Sequence, residues 1–361
     1  MAPGPTPIPP PARDVMAESP GYHRTQEFAA IIGDVVSKIS RLLGGGLRVV
    51  PVTASGTGAM EMALWNLVRS DETVYVIDSG KFGERWMKMA RRRGCQVVRH
   101  QLEWGTSFSP KSVAAKIREH GEISAVLSTA TETSTLVRHP VEKLADQFDP
   151  GEVLFLCDAI STVGAEPFEP GEHGIHAVIL GAQKGLMGPP GLSFLAVDSR
   201  AESRARNLSS ETFYFDLTTA LDRLEEDSQT PWTPPIQLLK SQQKSLEILF
   251  EEGLESVFER HRNLSLTCRN WLEDNRLEIF SERPAVSGTA MKVPAPVDGK
   301  QLQKAVHEKH GYYIPGGQKQ LEGKIMRIGH LGYVFKQDLL QALDALESGL
   351  RQQGWVPDPT S

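Results

Sequence analysis

At 361 residues the chain is too long for one small core and has the length of two domains sharing a cleft. Hydrophobic residues make up 40%, charged residues 23%, and the formal net charge is −6. This is the composition of a soluble globular chain, and it lacks the basic excess that nucleic acid or an acidic membrane surface selects.

Three cysteines, Cys95, Cys157 and Cys268, show no metal-ligand spacing and cannot all pair, so a reducing, cytoplasmic setting without a metal site is expected. No run of about 18 apolar residues is present to span a bilayer. The opening has no basic stretch followed by an apolar one, so no secretory signal is expected. Up to Pro11 it is proline-rich and must be extended or turn-like, with a disordered tail as the plain alternative.

From Thr25 a helical pattern runs through Phe28, Ile32, Val35 and Ile39 to the stop at Gly44, Gly45 and Gly46. Residues 47–52 read as a strand, 58–68 as a helix, 73–77 as a strand and 83–93 as a helix. Four further strands are expected at 123–128, 153–157, 177–180 and 192–197. Short buried strands alternating with helices predict an α/β fold, a mostly parallel sheet covered on both sides. Lys88 and Arg91 to Arg93 close the second helix before Gly94, where cations suit the helix dipole, and read as a solvated face.

After the proline-rich patch at 230–235 the character changes. A long helical region is expected over 236–275, strands near 290–293 and 325–328, and an amphipathic helix over 337–352. The predicted division is an extended segment at 1–20, a large domain at 21–250 and a smaller α+β domain at 251–361.

Chemistry concentrates where strands end. Lys184 follows the apolar strand 177–180 in a glycine-rich turn, and the carboxyl ends of parallel strands are where ligands collect. Partly desolvated, such a lysine can lose its proton and attack an aldehyde, although alone it would read as a surface group. Asp158 ends another buried strand and needs a cationic partner. A pyridinium nitrogen is one, though capping the next turn would also satisfy a lone aspartate. Ser55-Gly-Thr-Gly opens a helix directly after a strand, where free N–H groups favour an anion. Neither GxxxxGK[ST] nor a GxGxxG after the first strand is present, which argues against a nucleotide-binding module.

In this order the segments resemble the class V aminotransferases of fold type I, the group of alanine–glyoxylate and serine–glyoxylate transaminases. The resemblance extends from Pro3-Gly4 through His23-Arg24, Glu132-Thr133, Asp158, Gln183-Lys184 and Pro189-Pro190 to Arg327 and His330, nearly the whole chain. It implies a pyridoxal-phosphate enzyme. Lys184 would form the Schiff base, with Asp158 on the pyridine nitrogen. Thr57, Gly58 and Ala59 would hold the phosphate, with Gln183 nearby, and Phe82 would stack on the ring. Thr133 would reach the ring hydroxyl. Thr233 would reach the phosphate across a homodimer that shares its active sites. Arg327, with Gly4 close by, would receive the substrate carboxylate.

The implied substrates are a small amino acid and a 2-oxo acid such as glyoxylate or pyruvate. A 2-aminoethylphosphonate transaminase, a lyase of the same fold and an inactive binding protein are the alternatives. Residues 312–326 lack the nucleophilic cysteine that desulfurases need, and Gln183 stands where those enzymes carry histidine. Arg138 departs from the family pattern. It is expected either to be solvated or, if it faces the cleft, to read a second anionic group. His330 reads as structural.

Overall fold

The computed structural model describes residues 1–149 and 151–356. In chain order its first elements are helices α1 (Pro10–Asp14) and α2 (Gln26–Leu42), strand β1 (Arg48–Val52), α3 (Gly56–Leu67), β2 (Thr73–Asp78) and α4 (Lys81–Arg93). Next come β3 (Gln96–Gln101), α5 (Pro110–Glu119), β4 (Ala125–Thr129), the two-residue strands β5 (Thr131–Glu132) and β6 (Val137–Arg138), and α6 (Val141–Ala145). They are followed by β7 (Leu154–Asp158), β8 (Ala177–Gly181), β9 (Ser193–Val197), α7 (Ser199–Asn207) and α8 (Leu217–Asp227). The last are α9 (Ile236–Glu252), α10 (Leu254–Asp274), β10 (Gly288–Lys292), α11 (Gly299–His310), β11 (Ile325–Gly329) and α12 (Lys336–Gln352).

Seven strands form one sheet in the order β1-β9-β8-β7-β4-β2-β3. Only β9 runs against the rest, pairing antiparallel with both β1 and β8. Six strands therefore bring their carboxyl ends to one edge. The strand residues alternate between two cores with period two: Val126, Phe155, Cys157, Val178 and Phe194 meet the layer of α2, α5, α6 and α9. Leu127, Leu154, Leu156, Ile179 and Leu195 meet the layer of α3, α4, α7 and α8. The mostly parallel sheet with helices on both faces is as expected from the sequence.

Local chemistry explains the element ends. Thr25 caps α2 by accepting the Phe28 N–H at 3.2 Å. Gly94, at φ +99°, ends α4 in the left-handed region. The helical region at 236–275 is two helices, because Gly253 turns the chain at φ +84° between α9 and α10. A third core, containing Cys268, Met291, Leu302, Val306, Met326 and Leu343, lies among α10, β10, α11, β11 and α12.

The start of the chain is an ordered strap rather than a disordered tail. The Thr6 N–H donates to the Gln183 carbonyl at 3.0 Å, and the Gly329 N–H donates to the Met1 carbonyl at 2.8 Å. Arg93 is also not solvated. It is buried, with both guanidinium nitrogens on Glu211 and its Nε on the Val68 carbonyl. Arg91 and Arg92 are exposed, as the sequence reading expected.

Candidate active site

The carboxyl edge of the sheet gathers most of the residues singled out from the sequence. β7 ends at Asp158, and the neighbouring β8 ends at Gly181, three residues before Lys184; the two strands are parallel, with Asp158 opposite Ile179. Asp158 is buried, and its Oδ1 accepts the Ile160 N–H at 3.0 Å. Its Oδ2 has no hydrogen-bond partner among the described residues. Burial raises its pKa to about 6, opposed by the Ile160 N–H and by the charges of Arg85 and Lys184.

Lys184 is half-buried and donates from Nζ to the Pro3 carbonyl. Loss of solvation lowers its pKa to about 8; Asp158 resists this, while Arg327 and Arg85 add to it. Each of the two groups thus lies within the other's field. Gly4, at φ +113°, lies against this amine, and a β-carbon there would sit 2.4 Å from Nζ.

Thr57, Gly58 and Ala59 form the first turns of α3, which begins two residues earlier than expected. Ser55, the residue before the helix, makes no side-chain cap; its carbonyl accepts the Gly58 and Ala59 N–H groups at 2.8 and 3.4 Å, and the N–H groups of Gly56 and Thr57 have no partner among the described residues. The glycines here answer to packing: a β-carbon would come within 2.2 Å of Ile160 at Gly56 and 2.4 Å of Ala54 at Gly58.

Phe82 opens α4 and is half-buried, with the Arg85 guanidinium 4.6 Å from its ring centre. Thr133 is buried; its Oγ1 lies 2.7 Å from Ser161 Oγ, and its carbonyl accepts from Arg327 Nη1 at 3.0 Å. Arg327, on β11, also donates from Nε to the Gly316 carbonyl at 2.9 Å, while Nη2 makes no hydrogen bond to the described residues. Burial lowers its pKa, and Glu132 opposes the shift. The Gln183 side-chain oxygen is enclosed and has no hydrogen-bond partner among the described residues. Thr233 is exposed on the loop before α9, and no described contact ties it to the others within this chain.

Two residues at the site carried no role in the sequence reading. Glu132 is fully buried and accepts the Phe82 and Gly83 N–H groups at 3.0 and 3.2 Å and the Ser134 hydroxyl at 2.5 Å. It fixes the start of α4; burial raises its pKa, opposed by these donors. Arg85 donates to Thr57 Oγ1 at 2.8 Å. The signal for Arg85 was its spacing, three residues from Phe82 on one helical face. The signal for Glu132 was a single acid in a run of small polar residues at a strand end.

Arg138 fits neither earlier expectation. It is buried on β6 and engaged by Glu142 and by Glu166 at 2.8 Å, so it is neither solvated nor free to read an anion in the cleft. His330 is buried, with Nε2 3.0 Å from Thr289 Oγ1, and burial holds its pKa down to about 3.

Comparison with known proteins places this geometry. The family model described as "Aminotransferase class-V" matches residues 14–327. An uncharacterized aminotransferase of Methanocaldococcus jannaschii is 31% identical over 358 residues, covering 98% of this chain and 93% of that one. The serine–glyoxylate aminotransferase of Methylorubrum extorquens is 31% identical over 376 residues, covering 100% and 93%. Among solved structures, alanine–glyoxylate aminotransferase from Nostoc sp. superposes with a TM-score of 0.92 at 27% identity, covering 97% of this chain and 94% of the other. The lysine and carboxylate at the ends of adjacent strands therefore belong to a fold type I transferase, and the chain is a member of the class V aminotransferase family, an enzyme that transfers amino groups.

Proposed function

We propose that the enzyme uses pyridoxal phosphate to move an amino group from a small amino acid, of the alanine or serine type, to a 2-oxo acid such as glyoxylate or pyruvate. The observation that carries this reading is the nearness of Asp158, at the end of β7, and Lys184, three residues past the end of the adjacent β8, each within the other's field. The residues present fit the cofactor. Asp158 offers a free carboxylate oxygen to a protonated ring nitrogen, and the unpartnered N–H groups of α3 suit a phosphate.

In this proposal Lys184 holds the cofactor through Nζ, and Thr57, Gly58 and Ala59 hold its phosphate together with Thr233 of the partner subunit. Phe82 lies on the ring, Thr133 meets its hydroxyl, and Gln183 lines the site. When bound, the cofactor supplies an electron sink for charge left on the substrate α-carbon. Arg327 receives the substrate carboxylate on its open nitrogen, near Gly4. With substrate bound, the Lys184 amine would be free to take the α-proton and to deliver it to the cofactor's aldehyde carbon rather than back to the substrate, so that the amino group stays behind and a 2-oxo acid leaves. A pKa lowered to about 8 leaves a useful neutral fraction for that work near neutral pH. Two half-reactions sharing one site give ping-pong kinetics.

The ion pairing of Arg138 removes the arginine that the sequence offered as reader of a second anionic group, which favours monocarboxylate substrates over phosphonates. All three cysteines are buried, free and outside 312–326, which gives no support to sulfur chemistry. The exposed Phe213 and Tyr214, the first tilted against Trp232 and the second stacked on it beside Thr233, support a homodimer that covers this patch. The division into domains at 21–250 and 251–361 and a cytoplasmic setting belong to the same proposal. No helix among the described residues is long and apolar enough to cross a membrane.

The deciding test is a panel of amino donors against glyoxylate and pyruvate, scored by product. Failure of every small donor with both acceptors, in protein that binds the cofactor, would refute the substrate class.

A further inference from the structure

We infer that Arg85 is a positioning residue for the cofactor phosphate: its guanidinium, fastened to Thr57 at the start of α3 and laid over Phe82, closes the side of the anion cradle that the helix alone leaves open. This rests on the pyridoxal-phosphate reading above and adds a residue to it.

Three observations converge. First, a half-buried guanidinium ordinarily finds a carboxylate, and Arg85 has none within ion-pair distance among the described residues. The neighbouring Glu84 is taken by Lys319 and Lys88, and among the described residues Thr57 Oγ1 is the one hydrogen-bond acceptor of Arg85. Second, a groove of about 510 Å³ runs between α3 and α4 from Thr57, lined by Arg85, Lys88, Arg91 and Arg92 against the single acid Glu61. An anion at its inner end enters a field of excess positive charge. Third, the charge of Arg85 is felt at both Asp158 and Lys184, so the side chain belongs to the site rather than to the outer surface.

The chemistry suits a phosphate. A guanidinium presents paired N–H donors in a plane that matches two phosphate oxygens, and it remains charged throughout the working pH range. By donating to Thr57 Oγ1, Arg85 also leaves the threonine hydroxyl hydrogen free to donate in turn. A lysine would keep the charge and lose the fork. Glutamine would lose both.

The test compares apo-protein of the wild type, Arg85→Gln and Arg85→Lys, titrated separately with pyridoxal phosphate and with pyridoxal, which lacks the phosphate. Binding is read by visible absorbance and tryptophan quenching, so turnover is not needed. Arg85→Gln is expected to raise the Kd of pyridoxal phosphate about 10- to 100-fold and to leave that of pyridoxal within about twofold, with Arg85→Lys between. Inorganic phosphate is expected to compete with pyridoxal phosphate in the wild type and to lose that effect in Arg85→Gln. An unchanged ratio of the two Kd values, or surviving phosphate competition, overturns the assignment. Should circular dichroism show Arg85→Gln unfolded, the ratio in Arg85→Lys decides, with an unchanged value counting against it. Wild-type protein that binds no pyridoxal phosphate overturns the cofactor reading itself, and this assignment with it.

Discussion

At the scale of single residues, the site works by withholding water from charges that need it. With the roles proposed for Lys184, Lys184→Ala would remove both the anchor and the base, and turnover is expected to fall by about 10³-fold or more together with the visible absorbance of the bound cofactor. A variant that keeps wild-type turnover would remove Lys184 from its role. Arg327 keeps one nitrogen open after anchoring the others on Thr133 and Gly316. Arg327→Ala is expected to raise KM for carboxylate substrates about 10- to 100-fold, the worth of a charge-assisted pair of hydrogen bonds. Equal KM values in wild type and variant count against this.

Asp158 makes a pH prediction. Its pKa rises from 3.8 to about 6 on folding, so within that window the folded apo-protein keeps a proton that the unfolded chain has released. Stability from this group is present at low pH and is lost as pH rises through about 6, by about 3 kcal/mol in all. The buried His139, His261 and His330, with pKa values lowered to about 3, 4 and 3, act oppositely below their ordinary range. Denaturant titrations of wild type and Asp158→Asn across pH 4–7 isolate the carboxylate, and parallel curves would show that Asp158 ionises normally.

At the scale of elements, the site depends on how α3 and α4 begin. Glu132 reaches from β5 to the first N–H groups of α4, a buried carboxylate at the positive end of a helix. Glu132→Gln would set an amide N–H against those donors. It is expected to cost about 1–3 kcal/mol in chemical denaturation and to weaken cofactor binding by disturbing Phe82. A stability equal to wild type would show that the cap is dispensable. Strand ends carrying Lys184 and Asp158 were legible in sequence because each is a bare apolar run with one ionisable residue after it. β3 was not, since it lies at the edge of the sheet and its Gln96, Arg99 and Gln101 are exposed. α7 was also missed: its sequence is dominated by Ser, Arg and Glu, with only Ala201 and Ala205 buried. The helix break at Gly253 was hidden because one glycine inside a helical pattern does not announce its φ.

At the scale of the whole molecule, the layered architecture was readable from alternation alone, while contacts between distant segments were not. Nothing local in Arg138 foretells Glu166, and nothing in Arg85 foretells Thr57, because both pairings exist only once the sheet has formed. The exposed Phe213 and Tyr214, packed against the half-buried Trp232, predict a dimer. Light scattering should give the mass of two chains, and Phe213→Asp combined with Trp232→Asp should give one chain with cofactor binding weakened about 10-fold or more. A double variant that stays dimeric would put the interface elsewhere.

The opening six residues have a mechanical consequence. Met1 is joined to Gly329, and Thr6 to Gln183 and to the Lys184 carbonyl at 3.1 Å, so one short ribbon spans from the reactive amine to the strand bearing Arg327. A displacement of that strand is thereby transmitted to the amine's own peptide, and in the proposed site the two ends of a bound substrate would be held in a common frame that the seven-stranded sheet does not provide.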